Sequence, residues 1–171
     1  MSGAYETLDI AIAEHIAVLT LSREARHNAI SSRMNVELPR AWRQLEEDPA
    51  VRVIVVTGAG RKAFCTGADL GDLPKTEDPE FAQQLASIGW TGRQNGVTKP
   101  VIAAINGLAV GAGLHFAADA DIVLAADHAQ FVDSHVAVGL IAALEPIGLA
   151  RRMPLGAVMK LALTGGDERL S

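Results

Sequence analysis

The chain has 171 residues, of which 49% are apolar but only 4% aromatic, and it carries a formal net charge of -5. That is the balance of one globular domain with an aliphatic core, and it leaves no basic footprint for nucleic acid. With no apolar run long enough to span a bilayer, no basic-then-apolar leader and a single cysteine, Cys65, it reads as a soluble cytoplasmic protein without an internal disulfide.

Leu8 to Ala13 alternate apolar and polar residues, and Ile16 to Leu21, IAVLTL, is a second strand candidate. Glu14-His15 between them predicts an N-terminal hairpin. After a polar loop, Ser31 or Ser32 caps a helix whose apolar face holds Leu38, Ala41, Trp42 and Leu45. Pro39 sits early in that helix, and Asp48-Pro49 ends it. Val51 to Thr57 reads as a buried strand, followed by the glycine-rich GAGRKAFCTGADLGDLP and an acidic loop from Gly71 to Pro79. A helix is predicted over Glu80 to Asn95 and a strand over Val101 to Ile105. Asn106-Gly107 then makes a turn. Gly111 to Ala118 reads as a short helix, Ile122 to Ala126 as a strand. Pro154 to Leu163 has helical spacing, with Leu155, Val158, Met159 and Ala162 on one face. The alternation argues an α/β fold with a mainly parallel sheet.

Two glycine turns stand out, each following a buried strand: TGAGRKAFCTGADL and NGLAVGAGLHF. Glycine lets backbone approach a ligand closely. One free N–H from each turn, converging on one oxygen, would form an oxyanion hole; ordinary strand-to-helix turns are the plainer alternative. Neither is a Walker A loop, and GAGLHF lacks the third glycine of a dinucleotide fingerprint.

Five stretches in this order resemble the crotonase superfamily, also called the enoyl-CoA hydratase/isomerase family. They are RHNAIS (Arg26 to Ser31), EEDPAVRVIVVTGAGRKAFCTGADL (Glu46 to Leu70), KPVIAAINGLAVGAGLHFAADADIVLAAD (Lys99 to Asp127), AQFVDSHVAVGL (Ala129 to Leu140) and LALTG (Leu161 to Gly165). The resemblance implies one crotonase-like spiral of repeated ββα units over residues 1–171. It implies a coenzyme A thioester as substrate, with no further cofactor, and a homotrimer or dimer of trimers. It also implies a C-terminal helical part that this sequence lacks. No nucleic acid, membrane or metal partner is expected.

By the same resemblance, the oxyanion donors are the N–H groups of Ala68 and Ala112, the latter replacing a more frequent glycine. Gly67, Asp69, Leu70 and Gly111 flank them, and Arg26, His27 and Ala29 belong to a thioester-binding loop. Leu70, Leu73, Val138 and Leu140 either line an acyl pocket or simply pack. Lys99 and Arg61-Lys62 are candidates for a coenzyme A phosphate.

At one pair of positions the chain departs from the family. Its hydratases carry two glutamates where this sequence has His115 and His135. Imidazole is a competent base near neutral pH, and a helix N-terminus and a second imidazole nearby both favour its neutral form. Asp133 is the nearest carboxylate in sequence, with Glu145 and Asp119 as further candidates. Three readings follow: an enoyl-CoA hydratase or isomerase with histidines as acid and base, a hydrolase of a thioester or β-diketone, and a thioester-binding homologue without chemistry.

Overall fold

The computed structural model describes residues 5–72 and 88–166. β1 (Leu8–Ala13) and β2 (Ile16–Leu21) form the expected antiparallel hairpin. Glu14 and His15 both take positive φ in its turn, 48° and 67°, which suits the twist of a two-residue hairpin. The other strands follow in chain order: β3 (Val53–Gly58), β4 (Ala63–Cys65), β5 (Val101–Ile105), β6 (Leu108–Val110), β7 (Ile122–Ala125) and β8 (Gln130–Val132). They divide into a five-stranded sheet, β1-β2-β3-β5-β7, and a three-stranded sheet, β4-β6-β8. Every pairing except β1 with β2 is parallel. Each pass through the larger sheet is followed by one through the smaller: β3 to β4, β5 to β6, β7 to β8. This is the expected spiral. The small-sheet strands escape the sequence reading because three residues are too few to show a period.

Helix α1 (Ser32–Glu47) starts where Ser31 Oγ accepts the N–H of Met34 at 3.1 Å. It buries Met34, Leu38, Ala41, Trp42 and Leu45 against the larger sheet and runs through Pro39 without a break. Glu37 shares that buried face. Burial pushes its carboxyl up, but donors from Glu6, Thr7 and Arg33 outweigh this and hold it below the usual range. At the other end of α1, Lys99 Nζ donates to the carbonyls of Leu45 and Asp48 at 2.6 and 2.7 Å. Lys99 therefore closes the helix rather than offering a free charge to phosphate.

Three further helices follow: α2 (Gly113–Asp119), α3 (Leu144–Leu149) and α4 (Leu155–Thr164). The sequence reading missed α3. The buried stripe of α4 is Val158, Leu161 and Ala162, while Leu155 and Met159 are exposed. Of the helix predicted over Glu80 to Asn95, residues 80–87 lie outside the described residues, as do Leu73 and most of the acidic loop. Residues 88–95 hold only a 3₁₀ turn, Arg93–Asn95. There Gln94 Oε1 accepts the N–H groups of Trp90 and Thr91, so a side chain takes donors a helix would use.

Candidate active site

The two glycine turns leave the same edge of the small sheet, one after β4 and one after β6. Gly67 has φ +84°, and a Cβ there would lie 3.1 Å from Val110 O and 3.4 Å from Ala112 N. The turns are thus in direct contact. A Cβ on Gly113 would fall 2.2 Å from Cys65 O, so only glycine lets α2 begin this close to β4. Beside Ala68, Ile30 N–H donates to Gly67 O and Asp69 N–H to Ile30 O, at 2.8 and 2.9 Å. The N–H groups of Ala68 and Ala112 donate to no other group among the described residues.

Both alanines line a cavity of about 260 Å³, together with Gly67, Leu70, Gly111, His115, His135 and Val138. With Leu140 and Glu145, ten of the candidate site residues singled out from sequence therefore meet in one place. Leu140, Trp90 and Ile88 extend its apolar wall, and Glu145 faces it from α3. Arg26, His27, Ala29 and Asp69 do not line it. Asp69 pairs with Arg23 at 3.0 Å and Arg26 at 3.5 Å. Burial pushes the Asp69 carboxyl up, but the Arg23 hydrogen bond, the Gly71 N–H and the two guanidinium charges hold it low. The carbonyls of Ala29 and His27 accept from Arg23 Nη1 and the Thr66 hydroxyl. This loop shapes the turn at Ala68 from behind. Cys65, beneath it, is wholly buried, and burial pushes its thiol up to about 12.

Four ionisable side chains gather at the cavity floor. His115 is 5% exposed, and its Nε2 lies 3.0 Å from Glu145 Oε1. His135 Nε2 lies 3.5 Å from the same oxygen. On the other side of its ring, His135 Nδ1 is 2.7 Å from Asp133 Oδ1, which also accepts the His135 backbone N–H at 3.0 Å. Trp90 meets the His115 ring edge-on, with centroids 5.5 Å apart, and its indole N–H donates to Asn35 Oδ1 at 2.6 Å.

These contacts correct one expectation. The reasoning from helix dipole and neighbouring imidazole favoured neutral rings, but His135 has a carboxylate at each nitrogen. The Asp133 hydrogen bond raises its pKa; burial opposes this, and the charges of Glu145 and Asp133 add to it. Burial pushes the Glu145 carboxyl up, but His115 and the charge of His135 outweigh it and hold the group below its ordinary range. A proton-rich imidazole and a proton-poor carboxylate thus share a cavity with two free backbone donors. Such a site can hold a carbonyl oxygen, supply one proton and accept another. Among the described residues no cluster of three or more His, Cys, Asp or Glu is disposed to hold a metal ion, and no helix is long and apolar enough to cross a membrane.

Comparison with known proteins agrees with this architecture. The profile of the family described as enoyl-CoA hydratase/isomerase matches residues 11–169. The chain is 36% identical over 155 residues to an (E)-benzylidenesuccinyl-CoA hydratase of Thauera aromatica, covering 90% of this chain and 60% of that protein. It is 37% identical over 131 residues to a 1,2-epoxyphenylacetyl-CoA isomerase of Escherichia coli, covering 74% of this chain and 50% of that one. A crystal structure of an enoyl-CoA hydratase/isomerase from Mycobacterium paratuberculosis superposes with a TM-score of 0.85 at 36% identity, over 99% of this chain and 64% of that one. The chain spans between half and three fifths of the length of these two curated relatives.

Proposed function

From the enoyl-CoA hydratase/isomerase family, to which this chain belongs, we propose that it binds an acyl-coenzyme A thioester and moves protons beside the thioester carbonyl. The carbonyl oxygen accepts from the N–H groups of Ala68 and Ala112. Charge that builds on that oxygen during reaction is met by donors already in place, so stabilisation grows toward the transition state. The acyl chain lies along Leu70, Trp90, Val138 and Leu140.

The observation that carries this reading is Glu145. A carboxylate from α3 stands in the cavity within 3.0 Å of His115, so a base is present although neither family glutamate position holds one. In hydration, Glu145 with His115 takes a proton from water as its oxygen bonds to the β-carbon. His135 supplies a proton to the α-carbon, and the C–C double bond becomes single. In isomerisation the same pair of groups removes a proton at one carbon and returns one at another. Assembly as a trimer is proposed on the resemblance alone.

A thioester panel read by mass spectrometry tests the proposal. Crotonyl-, 3-hydroxyacyl- and 3-oxoacyl-CoA are incubated with the 171-residue chain and with a His115→Ala, His135→Ala double variant. Gain of water on crotonyl-CoA, or loss from 3-hydroxyacyl-CoA, absent in the variant, is the expected outcome. Release of free coenzyme A or a cleaved acid points instead to a hydrolase. Binding without turnover of any thioester points to a non-catalytic homologue.

A further inference from the structure

The proposed reaction leaves Asp133 without a role, although it is 1% exposed and among the most deeply buried charged groups described. Its two oxygens are used very differently. Oδ1 accepts twice from one residue, His135, through the backbone N–H and ring Nδ1. Oδ2 is buried and has no partner among the described residues. A carboxylate held this way is costly to bury unless a cation compensates it. Among the described residues, the ionisable nitrogen paired with it is on the His135 ring.

We infer that Asp133 is the positioning residue of this site: it fixes the His135 ring so that Nε2 exchanges protons with the cavity, while Glu145 links that nitrogen to His115. Both contacts of Oδ1 go to one residue, so they constrain backbone and ring together. With Nδ1 turned to Asp133, the opposite nitrogen must point at the cavity and Glu145. Among the described residues, the charged and titratable groups facing His135 are Asp133 from its own loop, Glu145 from α3 and, across Glu145, His115 from α2.

The arrangement also closes the proton balance. When His135 gives its Nε2 proton to substrate carbon, the ring becomes neutral with its remaining proton on Nδ1, held by Asp133. The proton taken from water sits on the Glu145–His115 pair. Glu145 Oε1 lies 3.5 Å from the vacated His135 Nε2, so that proton can return across one contact. Base and acid are reset without a net change in protons. This rests on the proposed proton-transfer reading, but the geometry of His135 is measurable without turnover.

The test is nuclear magnetic resonance of the imidazole nitrogens in the full chain, whose five histidines are distinguished with a His135→Gln variant. In the unsubstituted protein, His135 should keep its proton on Nδ1 through the whole titration and lose it from Nε2. A neutral ring with the proton on Nε2 overturns the inference. Asp133→Asn keeps the acceptor oxygen and removes the charge. Its His135 midpoint should fall by roughly one unit or more, with circular dichroism and thermal unfolding retained. An unchanged midpoint overturns the inference. With a thioester that is turned over, the same variant should lower kcat more than it alters KM and move the alkaline limb of the rate profile to lower pH. Loss of activity with no movement of that limb would mark a merely structural role.

Discussion

Glu145 is the residue on which the proposed chemistry turns. It is 4% exposed and stands between two imidazoles, and its charge is what lets it accept a proton. Glu145→Gln keeps the size and removes the base, so turnover of a responsive thioester should fall by roughly 10²- to 10⁴-fold, with binding, read by calorimetry, little changed. Gly67 sets the other half of the site. At φ +84° an alanine is strained, and its Cβ would press on Val110 O at 3.1 Å. Gly67→Ala should cost about 1–2 kcal/mol in chemical denaturation and weaken thioester binding by displacing the neighbouring donors. The sequence pointed to both glycine turns and both histidines, because glycine and histidine announce themselves by type. It ranked Glu145 only among outlying candidates. A carboxylate ten and thirty positions from the two histidines it touches carries no periodic signal, and α3, which delivers it, is a six-residue helix.

Elements with a period, a continuous apolar run or a flanking glycine turn were legible, and the three-residue strands and α3 were not. The hairpin, α1 and strands β3, β5 and β7 were read near their true bounds, since apolar alternation, a continuous apolar run or helical spacing persists across each of them. β4, β6 and β8 have three residues each, yet their sheet is what brings the two glycine turns together. The same contrast separates local from distant causes within α1. Its start depends on one hydroxyl, so Ser31→Ala should lower stability by about 1 kcal/mol, measured by denaturant titration. Its burial of Glu37 depends on Glu6 and Thr7, just ahead of β1 and distant in sequence, and no local pattern foretold it. At the end of α2, Arg152 Nε donates to Ala118 O at 2.8 Å, and its guanidinium also holds Ala120 O. That ties the helix carrying His115 to the chain just beyond the helix carrying Glu145, which is how two elements keep one hydrogen bond in register.

Taken as a whole, the molecule should respond to pH through its buried cluster. Glu145 titrates below its ordinary 4.5 in the folded state, so its contribution is complete above that value and is lost as pH falls through the lower one. His135 titrates above its ordinary 6.5, so its contribution is complete below that value and is lost as pH rises through the higher one. The cluster therefore stabilises the fold most between those limits, and melting temperatures in a pH series should pass through a maximum there that flattens in an Asp133→Asn, Glu145→Gln double variant. A second property of the whole is its apolar flank. Leu140, Ile141, Ile147, Leu155 and Leu163 are all more than half exposed, Ile141 at 88%. Exposed apolar side chains in this number favour self-association, and light scattering on the 171-residue chain should return a mass above that of one copy. The lone sulfhydryl at Cys65 gives a way to watch all of this from inside. Sealed under the Ala68 turn, it can meet an alkylating reagent only when β4 leaves its neighbours. The rate at which that reagent is consumed is then a clock for opening beneath the candidate site, wound without adding a foreign label.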